Sequence, residues 1–194
     1  MKRLALLVGA LALTGCDLDL AGIGMCEYSR DFSDEISASG LNALLADAQA
    51  GELRIEGRSG SNKVRVRATA CASDARTADD IDFVLDYTNT SARVTSYVPG
   101  YDHARLDLVI EVPVDFDVDV YDESGDVEVR NVNSLWIDDG SGDIDARHIW
   151  YDVLVADDGS GDIYAEDLGG DFVVQRDGSG RIDYQNVRGR VQLP

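Results

Sequence analysis

The tripeptide Ser-Gly-Asp recurs in the C-terminal half of the sequence and places carboxylates at a regular spacing. Copies begin at Ser124, Ser141 and Ser160, and a Ser-Gly-Arg variant begins at Ser179, which gives spacings of 17, 19 and 19 residues. Aligning the copies puts the acidic residues around each turn in two columns. The first column is Asp122, Asp139, Asp158 and Asp177, and the second is Asp126, Asp143, Asp162 and, in the last copy, Arg181.

Two interpretations fit these columns. Hard cations bind clustered carboxylate and carbonyl oxygens, so calcium bridging consecutive turns is one of them. In the other, each Asp caps N–H groups of its own turn while water screens the remaining charge. The motif differs from the Gly-Gly-x-Gly-x-Asp repeat of calcium-binding β-rolls. We therefore expect no cofactor, with calcium as the alternative.

Another column of side chains has a composition found in enzymes that cleave polysaccharides. Glu128, Asp145 and Asp183 occupy outward positions beside Arg130 and Arg147. Acids and bases that alternate on a strand face are more typical of a solvated surface. No Ser-His-Asp or Cys-His set is evident, and the two histidines are isolated. We expect no catalytic residues, with a carbohydrate-cleaving β-helix enzyme as the alternative.

The N-terminus resembles that of bacterial lipoproteins. A cationic Met1-Lys2-Arg3 precedes the apolar run Leu4 to Leu13, which is too short to span a bilayer and suits a signal peptide. Leu13-Thr14-Gly15-Cys16 resembles a lipobox. By that resemblance, residues 1–15 are a lipoprotein signal peptide and Cys16 carries the lipid that anchors the chain. The expected location is the bacterial cell envelope, at the inner or the outer membrane.

Two further cysteines, Cys26 and Cys71, belong to the exported part of the chain. Disulfides form and persist outside the cytoplasm, and neither cysteine has a histidine at metal-ligand spacing. We predict that they form a disulfide. Closing a loop of this length stabilises a domain by roughly 4 kcal/mol in the chain-entropy model.

The residues after each Ser-Gly-Asp copy show which elements must position the columns. Apolar residues recur there at alternating positions, which indicates short strands. The matching sets are Val127, Val129, Val132 and Leu135; Ile144, Ala146, Ile149 and Val153; Ile163, Ala165, Leu168 and Phe172; and Ile182, Tyr184, Val187 and Val191. A unit of two short strands cannot bury its own apolar face. The pattern therefore predicts an all-β fold, a β-solenoid (β-helix-like) of stacked two-strand coils with 17 to 19 residues per coil.

The repeat is interrupted in the middle of the chain. A fainter copy surrounds Leu53 and Ile55, and residues 69–113 then break the period with longer strands expected at 82–88, 93–98 and 105–112. We interpret 69–113 as an insertion or sheet-like cap. Leu44, Ala46 and Ala48 alternate as in a strand leading into the first coil, although the spacing of Leu41, Leu44, Leu45 and Ala48 also fits a short helix. The expected organisation is a lipidated tether over 16–35 and a single domain over 36–194.

One outward column is apolar. Trp136, Leu154 and Val173 each lie between two inward residues, where a solvated strand would carry polar side chains. Either the insertion at 69–113 folds over this column or a partner docks there. We refer to Trp136, Leu154 and Val173 as the apolar strip.

Three sets of residues resemble the bacterial putative-adhesin family of β-strand-repeat proteins, many of which are lipoproteins. They are the segment Ala50 to Gly57, the segment Leu106 to Pro113, and the Ser-Gly-Asp repeats that follow. The resemblance covers about residues 36 to 194 and implies a β-solenoid located in the envelope. For this solenoid we expect a non-enzymatic binding, adhesion or assembly role. It carries over no catalytic residues.

Charge limits the partners. The chain has 17 Lys and Arg against 37 Asp and Glu, a net charge of -20, which disfavours nucleic acid and anionic lipid surfaces. The expected partners are a membrane, through the lipid on Cys16, and a protein or glycan. The half-coil from Val191 to Pro194 lacks a polar cap, so we also expect weak end-to-end self-association.

Overall fold

The computed structural model describes residues 26–100 and 103–194. The predicted signal peptide over 1–15 and the lipidation site Cys16 lie outside the described residues. Within them the chain forms two open mixed sheets and one short helix, α1 (Ala75–Asp80). The prediction of an all-β protein is confirmed.

Each sheet contains eight strands, and most consecutive strands alternate between the sheets. Sheet A consists, in spatial order, of β1 (Tyr28–Ser37), β4 (Lys63–Ala72), β7 (Arg105–Pro113), β3 (Leu53–Arg58), β9 (Val127–Arg130), β11 (Ile144–Ile149), β13 (Ile163–Leu168) and β15 (Ile182–Val187). Sheet B consists of β16 (Val191–Gln192), β14 (Phe172–Val174), β12 (Val153–Asp158), β10 (Ser134–Asp139), β8 (Asp117–Ser124), β2 (Ala43–Ala50), β6 (Ser91–Tyr97) and β5 (Asp82–Thr88).

The C-terminal repeats stack in register. Each repeat gives one strand to each sheet, and neighbouring repeats pair in parallel in both sheets. Ile144 pairs with Val127 on one side and with Ile163 on the other, as the aligned sequence predicts. All three are buried between the sheets. Equivalent apolar residues thus form continuous columns in the core, because the side chains of a strand alternate between its two faces.

Close stacking explains the glycine of the Ser-Gly-Asp motif. Gly161 has φ +153°, and a Cβ atom built there would lie 1.7 Å from the carbonyl oxygen of Gly142 in the preceding repeat. The Gly161 N–H donates to the carbonyl of Ser179 in the following repeat at 3.0 Å. A side chain at this position would therefore separate the repeats, so only glycine fits.

The insertion at 69–113 extends both sheets. Strands β5 and β6 form an antiparallel hairpin that pairs with β2 at one edge of sheet B. Strand β7 lies between β4 and β3 in sheet A. The three strands expected in the insertion are present, and the strand over Leu44, Ala46 and Ala48 is β2. The expectation that the insertion folds over the apolar strip is wrong, because its strands are added beside the repeats.

The predicted tether is shorter than expected. Residues 28–35, assigned to the tether over 16–35, belong to β1, which pairs antiparallel with β4 along its whole length. The sequence pattern of β1 is weak because this edge strand is largely exposed, with Phe32 and Ile36 packed against the core. The predicted disulfide is confirmed: Cys26 and Cys71 are bonded, with Cα atoms 5.2 Å apart. It fastens the start of β1 to β4.

The last repeat is less buried than the others. Ile182, Tyr184 and Val191 occupy the positions of the buried residues Ile163, Ala165 and Phe172, yet Ile182 and Val191 are only partly buried and Tyr184 is 47% exposed. Among the described residues no further strand pairs with β15 or β16. End-to-end association through this repeat stays a prediction.

We expect the disulfide to make a large contribution to stability. Replacing Cys26 and Cys71 together by Ala should lower the free energy of unfolding by roughly 2 to 4 kcal/mol, because the unfolded chain gains freedom when the loop opens. Thermal denaturation of the variant measures this. The reduced wild-type protein is the control, and its melting temperature should equal that of the variant. An unchanged melting temperature together with two reactive thiols in the folded, unreduced protein would contradict the assignment.

Candidate functional site

The exposed Asp column forms a ladder of hydrogen bonds between repeats. Asp126 Oδ1 accepts from the N–H of Asp143 at 3.0 Å, and Asp143 Oδ1 accepts from the N–H of Asp162 at 2.8 Å. Asp162 Oδ1 accepts from the N–H of Arg181 at 2.9 Å, and the Arg181 guanidinium lies 3.0 Å from the other carboxylate oxygen. Each Asp of this column therefore accepts a hydrogen bond from the next repeat. The interpretation in which each Asp caps N–H groups of its own turn is wrong for this column.

The other Asp column points into the core. Asp122 pairs with Asp139 across β8 and β10, and Asp139 pairs with Asp158 across β10 and β12. Their exposed fractions are 6%, 1% and 0%. None of their side-chain oxygens makes a hydrogen bond of normal geometry with the described residues. The N–H groups of Gly140 and Ser141 lie near Asp139 and act to lower its pKa, and the Ser160 N–H does the same for Asp158, although these contacts lie outside normal hydrogen-bond geometry. Three carboxyl groups thus lie in one line inside the protein with few partners, which is an unfavourable setting for ionised groups.

Burial raises the pKa values of this column. The pKa of Asp158 is raised to about 7, mainly by loss of solvent and also by the nearby charges of Asp139 and Asp177. Burial is also the main cause that raises the pKa values of Asp122 and Asp139, which lie next to each other. The column therefore holds protons at a pH where exposed carboxyl groups are ionised.

The side chains of these columns are not grouped as in a metal site. Across residues 26–100 and 103–194, no group of three or more His, Cys, Asp or Glu side chains is arranged to hold a metal ion. Asp126, Asp143 and Asp162 already accept hydrogen bonds from backbone N–H groups. The absence of a cofactor stays a prediction, with calcium at the Asp columns as the alternative.

The outward carboxylates of sheet A are held in ion pairs. Glu128 contacts Arg54 at 2.7 Å and also contacts Arg130. Asp145 forms two hydrogen bonds with the guanidinium of Arg147, each 2.6 Å long. The third member of the predicted column, Asp183, lies 3.4 Å from Arg181. Because each of these carboxylates is paired with an arginine, the column is an ion-pair network on the solvent-facing side of sheet A.

The apolar strip is in register on the outer face of sheet B. Trp136 pairs with Leu154, and Leu154 pairs with Val173, so the three side chains form one row across β10, β12 and β14. All three are partly buried. The row continues past the exposed Asp119 on β8 to Leu45 on β2. The Tyr121 ring packs against Trp136 with centroids 4.8 Å apart.

A polar column at the bend between the sheets was missed in the sequence. Asn131, His148, Asp167 and Asn186 have φ angles of 59°, 56°, 57° and 55°, the left-handed conformation in which Asn, Asp and His are enriched. They are spaced by 17, 19 and 19 residues, the same spacings as Ser-Gly-Asp. That spacing is the signal that would have identified them.

No helix in the described part of the chain is long and apolar enough to cross a membrane.

The buried column predicts an unusual pH dependence. The folded pKa of Asp158 lies above its ordinary value of 3.8, so its contribution to stability is fully present below pH 3.8 and is lost as the pH rises to about 7. The Asp158→Asn variant removes the buried charge. We expect its melting temperature to be about 5 °C higher than that of the wild type at pH 8 and equal to that of the wild type near pH 4.

Asp86→Asn is the matched control, because Asp86 is exposed on β5. It should change the melting temperature little at either pH. If Asp158→Asn is destabilising at pH 8 by as much as at pH 4, then folding does not raise the pKa of Asp158 and the description of the column as buried is wrong.

Comparison with known proteins finds matches among solved structures only, and these have low sequence identity. No family model matches the chain, and no curated protein matches it. A putative cell adhesion protein from Clostridium sporogenes is 8% identical, with a TM-score of 0.41 over 86% of this chain and 99% of that one. A putative adhesin from Bacteroides fragilis is 12% identical, with a TM-score of 0.37 over 85% and 97%. A putative adhesin from Parabacteroides merdae is 10% identical, with a TM-score of 0.34 over 85% and 96%.

Proposed function

We propose that the protein is a lipid-anchored, non-enzymatic binding protein of the bacterial cell envelope. In this proposal the stacked repeats are successive coils of a β-solenoid, which serves as a rigid support for a binding face. The observation that carries the proposal is the row of apolar side chains on the outer face of sheet B. The strands of the insertion lie beside this row and do not cover it.

The binding face is continuous across several strands. Leu45, Trp136, Leu154 and Val173 share one row of the sheet, and Tyr121 widens the row where it packs against Trp136. Aromatic side chains contribute much of the binding energy of protein interfaces. Because the strands are paired on both sides, the face is already ordered before a partner arrives, which lowers the entropy cost of binding.

Acidic residues frame this row. Asp47 and Asp138 flank it along one side through their pairing with Tyr121, and Asp119 lies within it. Although the Asp119 side chain is exposed, neighbouring protein atoms remove part of the solvent around its carboxyl group, and this effect together with the charge of Asp117 raises its pKa. A partner that brings Lys or Arg beside apolar side chains would complement this pattern, as does the net charge of -20. We therefore propose a protein partner with a basic, partly apolar surface.

Lipidation of Cys16 would place this face near a membrane. The support is the lipobox-like sequence Leu13 to Cys16 after a short apolar run. Several acyl chains on one residue are sufficient for stable anchoring. The segment between Cys16 and β1, which begins at Tyr28, would then link the lipid to the domain. The role needs no metal or cofactor.

The anchor is tested by the Cys16→Ala variant. We expect the variant to fold with an unchanged melting temperature and to leave the membrane fraction, because no other part of the proposal attaches the chain to lipid. Fractionation of cells after a salt wash measures this, and the wild type is the control. A Cys16→Ala protein that still sediments with membranes would show that the lipid is not the anchor.

The binding face is tested by placing a photo-crosslinking residue at Leu154 in intact cells. Tyr164, a partly buried outward residue on the opposite sheet, is the matched control position. We expect one discrete adduct from position 154, none from 164, and loss of the adduct when Trp136→Asp is added. Equal adducts from both positions, or none from 154, would contradict the proposed face.

A further inference from the structure

A groove lies along the bend at which the chain passes from sheet A to sheet B. Its volume is about 630 Å³, and six of the residues that line it carry the argument: His148, Trp150, Asp167, Gly169, Asn186 and Arg188. Of these, His148, Asp167 and Asn186 belong to the left-handed column of the preceding section. This groove is separate from the apolar strip, which lies on the outer face of sheet B.

The polar wall of the groove is held by contacts between repeats. Asn186 Nδ2 donates to Asp167 Oδ1 at 2.9 Å, and His148 Nε2 lies 3.3 Å from Asp167 Oδ2. These bonds fix the carboxylate of Asp167 between an amide and an imidazole. All three side chains are exposed, so lone pairs and N–H groups that these contacts leave free face the solvent in the groove.

The aromatic wall comes from an extra residue. The first repeat takes three residues from Val132 to Leu135, whereas the next takes four from Ile149 to Val153, and the Trp150 N–H pairs with the carbonyl of Val132. Trp150 is therefore an extra residue relative to the first repeat, and the two following repeats also take four residues here, from Leu168 to Phe172 and from Val187 to Val191. Their corresponding positions hold Gly169 and Arg188, so the bend itself does not require an aromatic residue.

The inserted tryptophan remains accessible. Its exposed fraction is 66%, which is unusual for the largest apolar side chain. Next to it, a Cβ atom at Gly169 would lie 2.0 Å from the carbonyl oxygen of Trp150. Because only glycine fits there, no side chain fills the space between Trp150 and Arg188. The groove is thus open between an indole ring and a guanidinium group.

We propose that this groove binds a neutral sugar residue of an oligosaccharide. A sugar ring has an apolar face of C–H groups that packs against an indole ring, and hydroxyl groups at its edge that both donate and accept hydrogen bonds. Asp167 and Asn186 supply acceptors, and Asn186 and Arg188 supply donors. The net charge of -20 disfavours an acidic sugar.

A purely structural role explains only part of this arrangement. The left-handed backbone accounts for Asn, Asp and His in the polar column. It does not account for a tryptophan that is inserted beside that column and left exposed. Binding at the groove is also independent of the partner proposed for the apolar strip, so either proposal can fail without the other.

The test uses the full chain in a detergent without a sugar headgroup. The probes are the neutral trisaccharides maltotriose, cellotriose and triacetylchitotriose, with sialyllactose as an acidic comparison. Saturation-transfer NMR and calorimetry measure binding at millimolar probe concentrations. We expect at least one neutral trisaccharide to bind and the acidic one to bind more weakly.

The variants Trp150→Ala and Tyr151→Ala assign the site. Tyr151 is 62% exposed and adjacent in sequence, but it is outside the set of residues lining the groove. Trp150→Ala should weaken binding about tenfold, whereas Tyr151→Ala should leave it unchanged, and both should melt with wild type. The proposal is overturned if no neutral trisaccharide binds, or if the two variants bind the probe equally.

Discussion

Parallel stacking in register is the constraint on which the rest of the structure depends. Each repeat must match its neighbours along its paired strands, because the N–H and C=O groups of those strands pair with them in both sheets, with a register shift after Ile137 in the pairing of β10 with β12. This requirement selects glycine where Gly161 meets the carbonyl of Gly142, and it places Asp143 where its carboxylate accepts the N–H of Asp162. The Ser-Gly-Asp motif is therefore a feature of contacts between repeats. The same matching turns every side-chain position into a column, whether it is apolar, acidic or aromatic.

The buried acidic column follows from this matching and has a cost. Asp122, Asp139 and Asp158 lie one above the other because their strands pair at those residues, and burial deprives them of water. Their raised pKa values mean that the column is accommodated by keeping protons on it. At the outer turn, by contrast, each carboxylate accepts a hydrogen bond from an N–H group, and the hydrogen bonds of Arg181 lower the pKa of Asp162. Two columns of the same residue type thus have different surroundings because one faces the core and the other faces solvent.

Much of the fold could be predicted from the sequence, since the repeats keep their apolar residues at alternating positions. Asp139 lies two residues after Ile137, so the same alternation places its side chain inward. Acidic residues beside a Gly-Ser turn are usually exposed, however, and that general tendency gave the wrong prediction for Asp139. Strand β1 was missed because an exposed edge strand needs few apolar residues. The polar column at the bend could have been identified by its spacing, but the groove beside it at Trp150 could not be predicted, since its open space depends on how the repeats stack.

The functional account places two different surfaces on one rigid stack. The outer face of sheet B has an apolar row framed by carboxylates, and the bend between the sheets has an indole ring beside a polar column. Both depend on equivalent residues of successive repeats lying side by side, as the buried column does.

The most direct test of that stacking is a titration of the aspartate side chains, followed by 13C NMR of the carboxyl carbons. The account predicts that Asp158 titrates with a pKa of about 7, and that Asp122 and Asp139 also titrate above the ordinary range. A pKa of Asp158 near its ordinary value of 3.8 would show that its carboxyl group is solvated, and would contradict the in-register stacking of the repeats.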